Sequence, residues 1–157
     1  MKIFSILFIL IFSVSSYAHC QIPCGIYDDE GVFSQLKQHV ETIHKSVDMI
    51  VALSSVKIKK LDDQMVANNQ QQLTRWVVNK EEHAKAIQDL MAHYFLSQRL
   101  KLSSVDNASD NDDYVAMLTV IHEIIVFSMK SKQSVDLSVV ESLANKIDAL
   151  EVLYFKP

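Results

Sequence analysis

The 157-residue chain has little that would interrupt a helix: it holds two glycines and two prolines. These residues are the main punctuators of a chain. Their near-absence argues against a strand-rich fold with many tight turns and for a few long helices. Cysteine is equally scarce. The two that exist, Cys20 and Cys24, are too few for a closed zinc site, which takes four protein ligands. Basic residues are in deficit, with 15 lysines and arginines against 19 aspartates and glutamates. No basic stripe runs along any segment, which leaves nothing to pair with a nucleic-acid backbone. Only one long apolar run occurs, and it stands at the start of the chain. The remainder carries no second run that reads as a membrane span.

That first run belongs to a leader. Met1 to Ala18 has Lys2 in a short positive start, an apolar stretch from Ile3 to Val14, and Ser16-Tyr17-Ala18 with small residues at the last and third-last positions. This is the pattern of a cleaved signal peptide, and its apolar run is short for a span. An uncut N-terminal anchor is the alternative. A lipid-anchored product would need a small residue just ahead of the cysteine, where His19 stands instead. Cleavage after Ala18 takes 18 of the 157 residues and leaves 139, enough for one domain with its own core. The leader's one charge is Lys2, so its loss moves the formal net charge from −4 to −5. The product is expected to be exported, either periplasmic or secreted, with no membrane association once the leader is gone.

Four helices are expected over residues 28–157. Asp28-Asp29-Glu30-Gly31 is an acidic start signal, and carboxylates suit a helix N-terminus. Phe33, Leu36, Val40, Ile43, Val47 and Ile50 then repeat at spacings of three and four, one apolar stripe on a helix running to about Ser54–Ile58. Asp62 to Asn69 reads as a polar loop. The second helix is expected over Gln70–Leu102, with Leu73, Trp76, Val77, Ala84, Ile87, Leu90, Met91, Tyr94 and Phe95 on its apolar face. Ser103 to Asp113 reads as a connector, since it lacks the glycine and the twelfth-position glutamate of a calcium loop. A strongly apolar third helix follows over Asp113–Ser131. Leu137, Val140, Leu143, Ile147, Leu150 and Tyr154 mark the fourth. Short polar links between amphipathic helices predict an all-α, antiparallel up-and-down four-helix bundle.

The chemistry concentrates in residues 19–27, His-Cys-Gln-Ile-Pro-Cys-Gly-Ile-Tyr, which hold both cysteines and one of the two prolines. In an exported chain a Cys20–Cys24 disulfide is one reading. A metal hook is the other. If the chain begins at His19, its free amine and the amide nitrogen of Cys20 close a five-membered chelate ring. The same amide nitrogen and the Cys20 thiolate close a second, and Cys24 supplies the fourth corner. A planar set of two nitrogens and two sulfurs suits nickel or copper rather than zinc. The His19 imidazole is tethered within axial reach. Pro23 fixes one dihedral, and Gly25 permits the tight path back toward Cys20. Three readings stay open from the residues alone: a redox enzyme, an exported nickel or copper carrier without turnover, and a helical protein closed by a disulfide.

His-Cys-x-x-Pro-Cys-Gly-x-Tyr at a newly made N-terminus resembles the nickel-dependent superoxide dismutases. Arg75-Trp76-Val77 with Lys80-Glu81 and His83-Ala84 is similar to that family's second helix. The resemblance implies a small four-helix bundle that assembles into a homohexamer, with one nickel ion per chain. It implies that superoxide is dismuted to dioxygen and hydrogen peroxide as nickel alternates between Ni(III) and Ni(II). The amine of His19, the amide nitrogen of Cys20 and the thiolates of Cys20 and Cys24 would be the equatorial ligands, and the His19 imidazole the axial one. Tyr27 would line the approach of the anion. Strong anionic donors bring a nickel couple within reach that aqueous nickel lacks, while the bundle orients the hook and limits thiolate oxidation.

The sequence departs from the family at three places. Gln21 follows Cys20 where many relatives carry aspartate. Some relatives steady the imidazole with an acid from the first helix and an arginine from the second, and Gln35 and His83 stand at those places here. The negative net charge does nothing to steer an anion, which leaves Lys80 and Lys101 as local candidates. Lys80-Glu81-Glu82 reads as solvated. His39, His44, His83, His93 and His122 read as exposed or core-satisfied, and Met49, Met65, Met91, Met117 and Met129 as core filler.

Overall fold

A computed structural model describes residues 25–57, 62–102 and 108–156, with the side chains of 108–110 excepted. These residues form four long helices and no strand. Helix α1 is Asp29–Ser54, α2 is Asp63–Asp89, α3 is Ala108–Gln133 and α4 is Leu137–Tyr154. A π-helical segment, Leu90–Arg99, continues α2 without a break.

Three of the four starts are set by an aspartate. Asp28 accepts from the Gly31 amide at 3.0 Å, Asp62 from Met65 at 2.8 Å and Asp136 from Ser138 at 2.9 Å. Each bond satisfies an amide that the helix leaves without a partner. A Cβ on residue 31 would collide with the Asp28 carboxylate, so glycine is what lets that cap fold over the first turn. The Asp62 cap corrects the expected loop. Residues 63–69 are the opening turns of α2, because the cap starts the helix there and Asn69 bonds the Leu53 carbonyl at 3.3 Å. Likewise α3 begins at Ala108 rather than Asp113.

Cross-helix contacts fix the directions. Along α1, Asp29, His39, Ser46 and Leu53 meet Tyr94 and Arg99, His83, Asn79 and Asn69 in turn, so the partner runs backwards. Lys80 reaches Lys132 while Gln88 reaches Ile125, and Glu123 pairs with Lys146 while Asp113 pairs with Lys156. Lys37 with Glu151 closes the ring between α1 and α4. The bundle is therefore up-down-up-down, with each helix packed on its sequence neighbours.

The expected α1 stripe is buried from Phe33 to Ile50. It meets Ala84, Ile87, Met91, Tyr94 and Phe95 from the second helix, Ile121 and Ile124 from α3, and Val140, Leu143, Ile147 and Leu150 from α4. Full burial of such side chains stabilises by about 1.5–3 kcal/mol each. Leu73, Trp76 and Val77 are only half-buried. The reason is length: the turn between α3 and α4 packs at Lys80, and α1 and α2 run on past it.

Lys80 overturns its expected place in solvent. It is 3% exposed, and its ammonium donates to the carbonyls of Lys132 at 3.1 Å and Ser134 at 2.6 Å. It thus closes the C-terminal end of α3 from a neighbouring helix. Burial lowers its pKa, with Glu81 pulling the other way. A lysine held this way cannot guide an anion arriving from solvent.

Candidate metal centre

The leader and the hook residues His19, Cys20 and Cys24 lie outside the described residues, as do Gln21 and Pro23. The described chain enters at Gly25, whose φ of 77° is the left-handed region that glycine adopts without strain. Tyr27 is the first side chain held by the bundle. The Arg99 guanidinium lies over its ring, 4.3 Å from the centroid, and Tyr94 meets it edge-on at 5.9 Å. The ring stays 38% exposed, so one face is clamped and another is open to solutes.

Beneath Tyr27 lies a polar cluster that the sequence reading did not assemble. Arg99 binds Asp29 with two nitrogens, Nε to Oδ1 at 2.9 Å and Nη2 to Oδ2 at 2.5 Å. Tyr94 donates to Asp29 Oδ1 at 2.6 Å, and Arg99 Nε also reaches the Tyr154 hydroxyl at 2.8 Å. Burial alone would raise the Asp29 pKa. The hydrogen bonds of Arg99, Tyr94 and Tyr154, with the charge of Arg99, outweigh it and hold the carboxyl below its ordinary range. Burial and Asp29 raise both tyrosines, Tyr154 to about 12, so each stays a phenol at neutral pH. The cluster depends on the π-helical segment. The Leu100 amide donates to the Phe95 carbonyl five residues back, the side chains of Ser97 and Gln98 donate to the carbonyls of Ala92 and His93, and that wider turn carries Arg99 to the start of α1.

Beside the cluster, a groove of about 310 Å³ runs between α1 and the second helix. It is lined by Gln35, His39, Ala86, Leu90, His93 and Tyr94, with Asp89 at its side. Gln35 is exposed and faces this groove. His83 lies one layer behind it: its Nδ1 and the Nδ1 of His39 are 2.7 Å apart. Both rings are half-buried, and His39 Nε2 is sealed from solvent with no hydrogen-bond partner among the described residues. Burial, then the neighbouring His83, lowers the His39 pKa. The pair departs from the expectation that the histidines are exposed or satisfied. His44, His93 and His122 do meet it, being exposed. A larger cleft of about 520 Å³ lies across the cluster, between Arg99, Lys101, Asp113 and Tyr154.

Among the described residues no three histidine, cysteine or acidic side chains come together to hold a metal ion. If the chain begins at His19, residues 19–24 offer an amine, an amide nitrogen, two thiols and an imidazole, a donor set that fits a late divalent ion such as nickel. Gln35 and His83, which the resemblance puts at the places of an acid and an arginine, are not bonded to each other here: His83 is engaged with His39.

No curated protein and no solved structure matches this chain. The family model for nickel-containing superoxide dismutase matches residues 14–157, which takes in the hook, the bundle and every helix described above. By that match the chain belongs to the nickel-containing superoxide dismutases, oxidoreductases that convert superoxide with nickel as cofactor.

Proposed function

We propose that His19, Cys20 and Cys24 would hold the nickel of this enzyme, through the His19 amine and imidazole, the Cys20 amide nitrogen and both thiolates. The observation that carries this reading is the clamp on Tyr27. The chain leaves the bundle through Gly25 from a side chain pinned by Arg99 and Tyr94, so Cys24 and Cys20 stand three and seven residues from the clamped Tyr27. When bound, nickel supplies the one-electron couple that takes an electron from one superoxide and gives it to the next. The chain's own groups do the rest. Tyr27 presents its open face where the anion arrives, and Arg99, its charge matched by Asp29, holds that ring in place. Two superoxide anions and two protons leave as dioxygen and hydrogen peroxide. The carrier reading gives way to the enzyme.

Export follows from the leader: cleavage after Ala18 frees the amine that the chelate needs, in the periplasm or outside the cell. The active form in this reading is a homo-oligomer, a hexamer by resemblance to the family. Helix α3 supports that. Asn111–Gln133 is long and apolar enough to cross a membrane by length and composition, yet only 22% of its most apolar window is buried. Val115, Leu118 and Met129 face outward. A second copy, not lipid, is the fitting cover, because α3 also carries Glu123 in an ion pair with Lys146 of α4.

The test is N-terminal sequencing, metal analysis and a superoxide assay on mature protein. We expect a start at His19, about one nickel per chain, and loss of both metal and activity in Cys20→Ser and Cys24→Ser. Full activity in protein with one extra residue before His19 would defeat the amine ligand.

A further inference from the structure

We propose that Tyr94 is a redox-active tyrosine: it takes up an oxidising equivalent that reaches Tyr27 from solution, hands its phenolic proton to Asp29, and is restored by superoxide. This role is independent of which residues hold the nickel.

Three observations carry it. First, the two rings are in contact, edge to face with centroids 5.9 Å apart, so an electron crosses between them with no group in the way. Tyr27 is 38% exposed and Tyr94 is 4% exposed. One ring meets oxidants and the other is shielded from them. Second, the charges around the rings slope in one direction. The Arg99 guanidinium lies 4.3 Å from the Tyr27 centroid, and a cation over a ring makes its electron harder to remove. The Tyr94 hydroxyl donates instead to the Asp29 carboxylate at 2.6 Å, and an anion so close makes the electron easier to remove. Arg99 and Asp29 are paired, but each ring feels the nearer charge more strongly. An electron vacancy on Tyr27 therefore moves to Tyr94. Tyr154 does not compete for it, because its hydroxyl accepts from Arg99 at 2.8 Å. Third, the proton has an acceptor in place. A phenol that has lost an electron is a far stronger acid than any carboxylic acid. It gives up its proton even to a carboxyl that, against the pull of burial, Arg99 and its neighbours hold below the ordinary range. Burial and the bond to Asp29 raise the Tyr94 pKa, so the proton stays on the phenol until the electron leaves.

The oxidant is a hydroxyl radical, formed when the hydrogen peroxide made in this reaction takes up one electron and sheds hydroxide. It removes a hydrogen atom from the Tyr27 hydroxyl and becomes water. An electron from Tyr94 and a proton from solvent restore Tyr27, while the Tyr94 proton moves to Asp29. A neutral phenoxyl radical then stands beside a neutral carboxyl. Superoxide returns the electron through the same pair of rings and leaves as dioxygen, and Asp29 returns the proton. Burial keeps the radical from coupling with another, with Phe95 packed edge-on against Tyr94 at 5.2 Å. Tyr94 and Arg99 both belong to the π-helical segment Leu90–Arg99, which brings the two to Asp29 together.

The experiment exposes the full mature chain, without nickel so that added superoxide is not consumed by turnover, to azide radicals from pulse radiolysis. Phenoxyl absorption and the electron paramagnetic resonance of frozen samples are followed. We expect a long-lived tyrosyl radical with a proton coupling that disappears in D2O, and faster decay when superoxide is added. Tyr94→Phe should abolish the long-lived signal and Tyr114→Phe should leave it. Asp29→Asn should shorten its lifetime about tenfold, the worth of one hydrogen bond to a charged group. Circular dichroism checks each fold; should Tyr94→Phe not fold, the exchangeable coupling and the Asp29→Asn lifetime decide the question. A long-lived radical that survives in Tyr94→Phe, one without an exchangeable proton, or one indifferent to Asp29→Asn or to superoxide would overturn the proposal.

Discussion

Replacing Asp29 with asparagine removes one charge from the clamp beneath Tyr27 and changes almost nothing in shape. Asp29 accepts two bonds from Arg99 and one from Tyr94, with side chains 24% exposed for Arg99 and 18% for Asp29. Breaking a fully buried ion pair by removing one partner costs about 3–5 kcal/mol. Partial exposure, and the oxygen that asparagine keeps, reduce this to about 2 kcal/mol. The lost carboxylate also stood in the first turn of α1, which adds about 0.3–1 kcal/mol from the helix dipole. A total of about 2–3 kcal/mol corresponds to a fall in Tm of about 6–10 °C for a chain of this size. The assay is urea denaturation of the metal-free protein at several pH values. The sign of the pH effect follows from the lowered pKa of Asp29. A carboxyl that ionises more readily when folded contributes stability that is whole above its ordinary value of 3.8 and lost as pH falls through the folded value. The wild type should therefore exceed Asp29→Asn by a constant margin from pH 5 to neutrality, and the two should converge in acid. A margin under about 0.5 kcal/mol, the size of an ordinary surface change, would refute the clamp. So would a margin that persists unchanged in acid.

Lys80→Met should cost about 1–3 kcal/mol by thermal denaturation, because two carbonyls at the end of α3 lose their buried donor. It should leave the salt dependence of the superoxide reaction as it was. Gly25→Ala forces a Cβ into the left-handed region, a strain of about 1–2 kcal/mol, and should weaken nickel binding roughly five- to thirtyfold in a metal-competition titration. The lowered pKa of His39 means that the folded chain prefers its neutral form. That contribution to stability is whole above the ordinary value of 6.5 and falls away as pH drops toward the folded value, a slope that His39→Gln should flatten in denaturation curves. If α3 is covered by a second copy as proposed, Leu118→Glu, on its outward face, should lower the sedimentation coefficient while the helical content stays constant.

The bundle was legible because its apolar spacing is regular. All six stripe positions of α1, and four of the six marked on α4, are buried where the period of 3.6 places them. The start of α2 was not, because residues 63–69 have no apolar face, and what makes them helical is a single cap at Asp62. Lys80 was misjudged for a related reason: it sits in a charged run, and only the turn between α3 and α4, brought there by the fold, gives its ammonium two acceptors. The hook stood out because its residues are neighbours in sequence. The groups beneath it did not, since Asp29, Tyr94, Arg99 and Tyr154 come from three separate stretches, as do His39 and His83 from two. One signal was available. Asp29 is the second carboxylate of an acidic helix start already capped by Asp28, which frees it for another partner.

The π-helical segment ties these pieces together. Each residue added to a turn rotates everything after it by about 100° relative to a regular α-helix. Had Leu90–Arg99 kept α-helical bonding throughout, Arg99 would leave the face that meets Asp29. Such geometry is rare and survives only where surrounding contacts over-determine it. Here those contacts are the bidentate grip on Asp29 and the aromatic packing of Phe33, Phe95 and Tyr154. The one irregular stretch of backbone among the described helices therefore lies where the N-terminal tether is clamped. A bundle needed only for its core would have no use for it there. A bundle that anchors the entry of a segment bearing both of the chain's cysteines does.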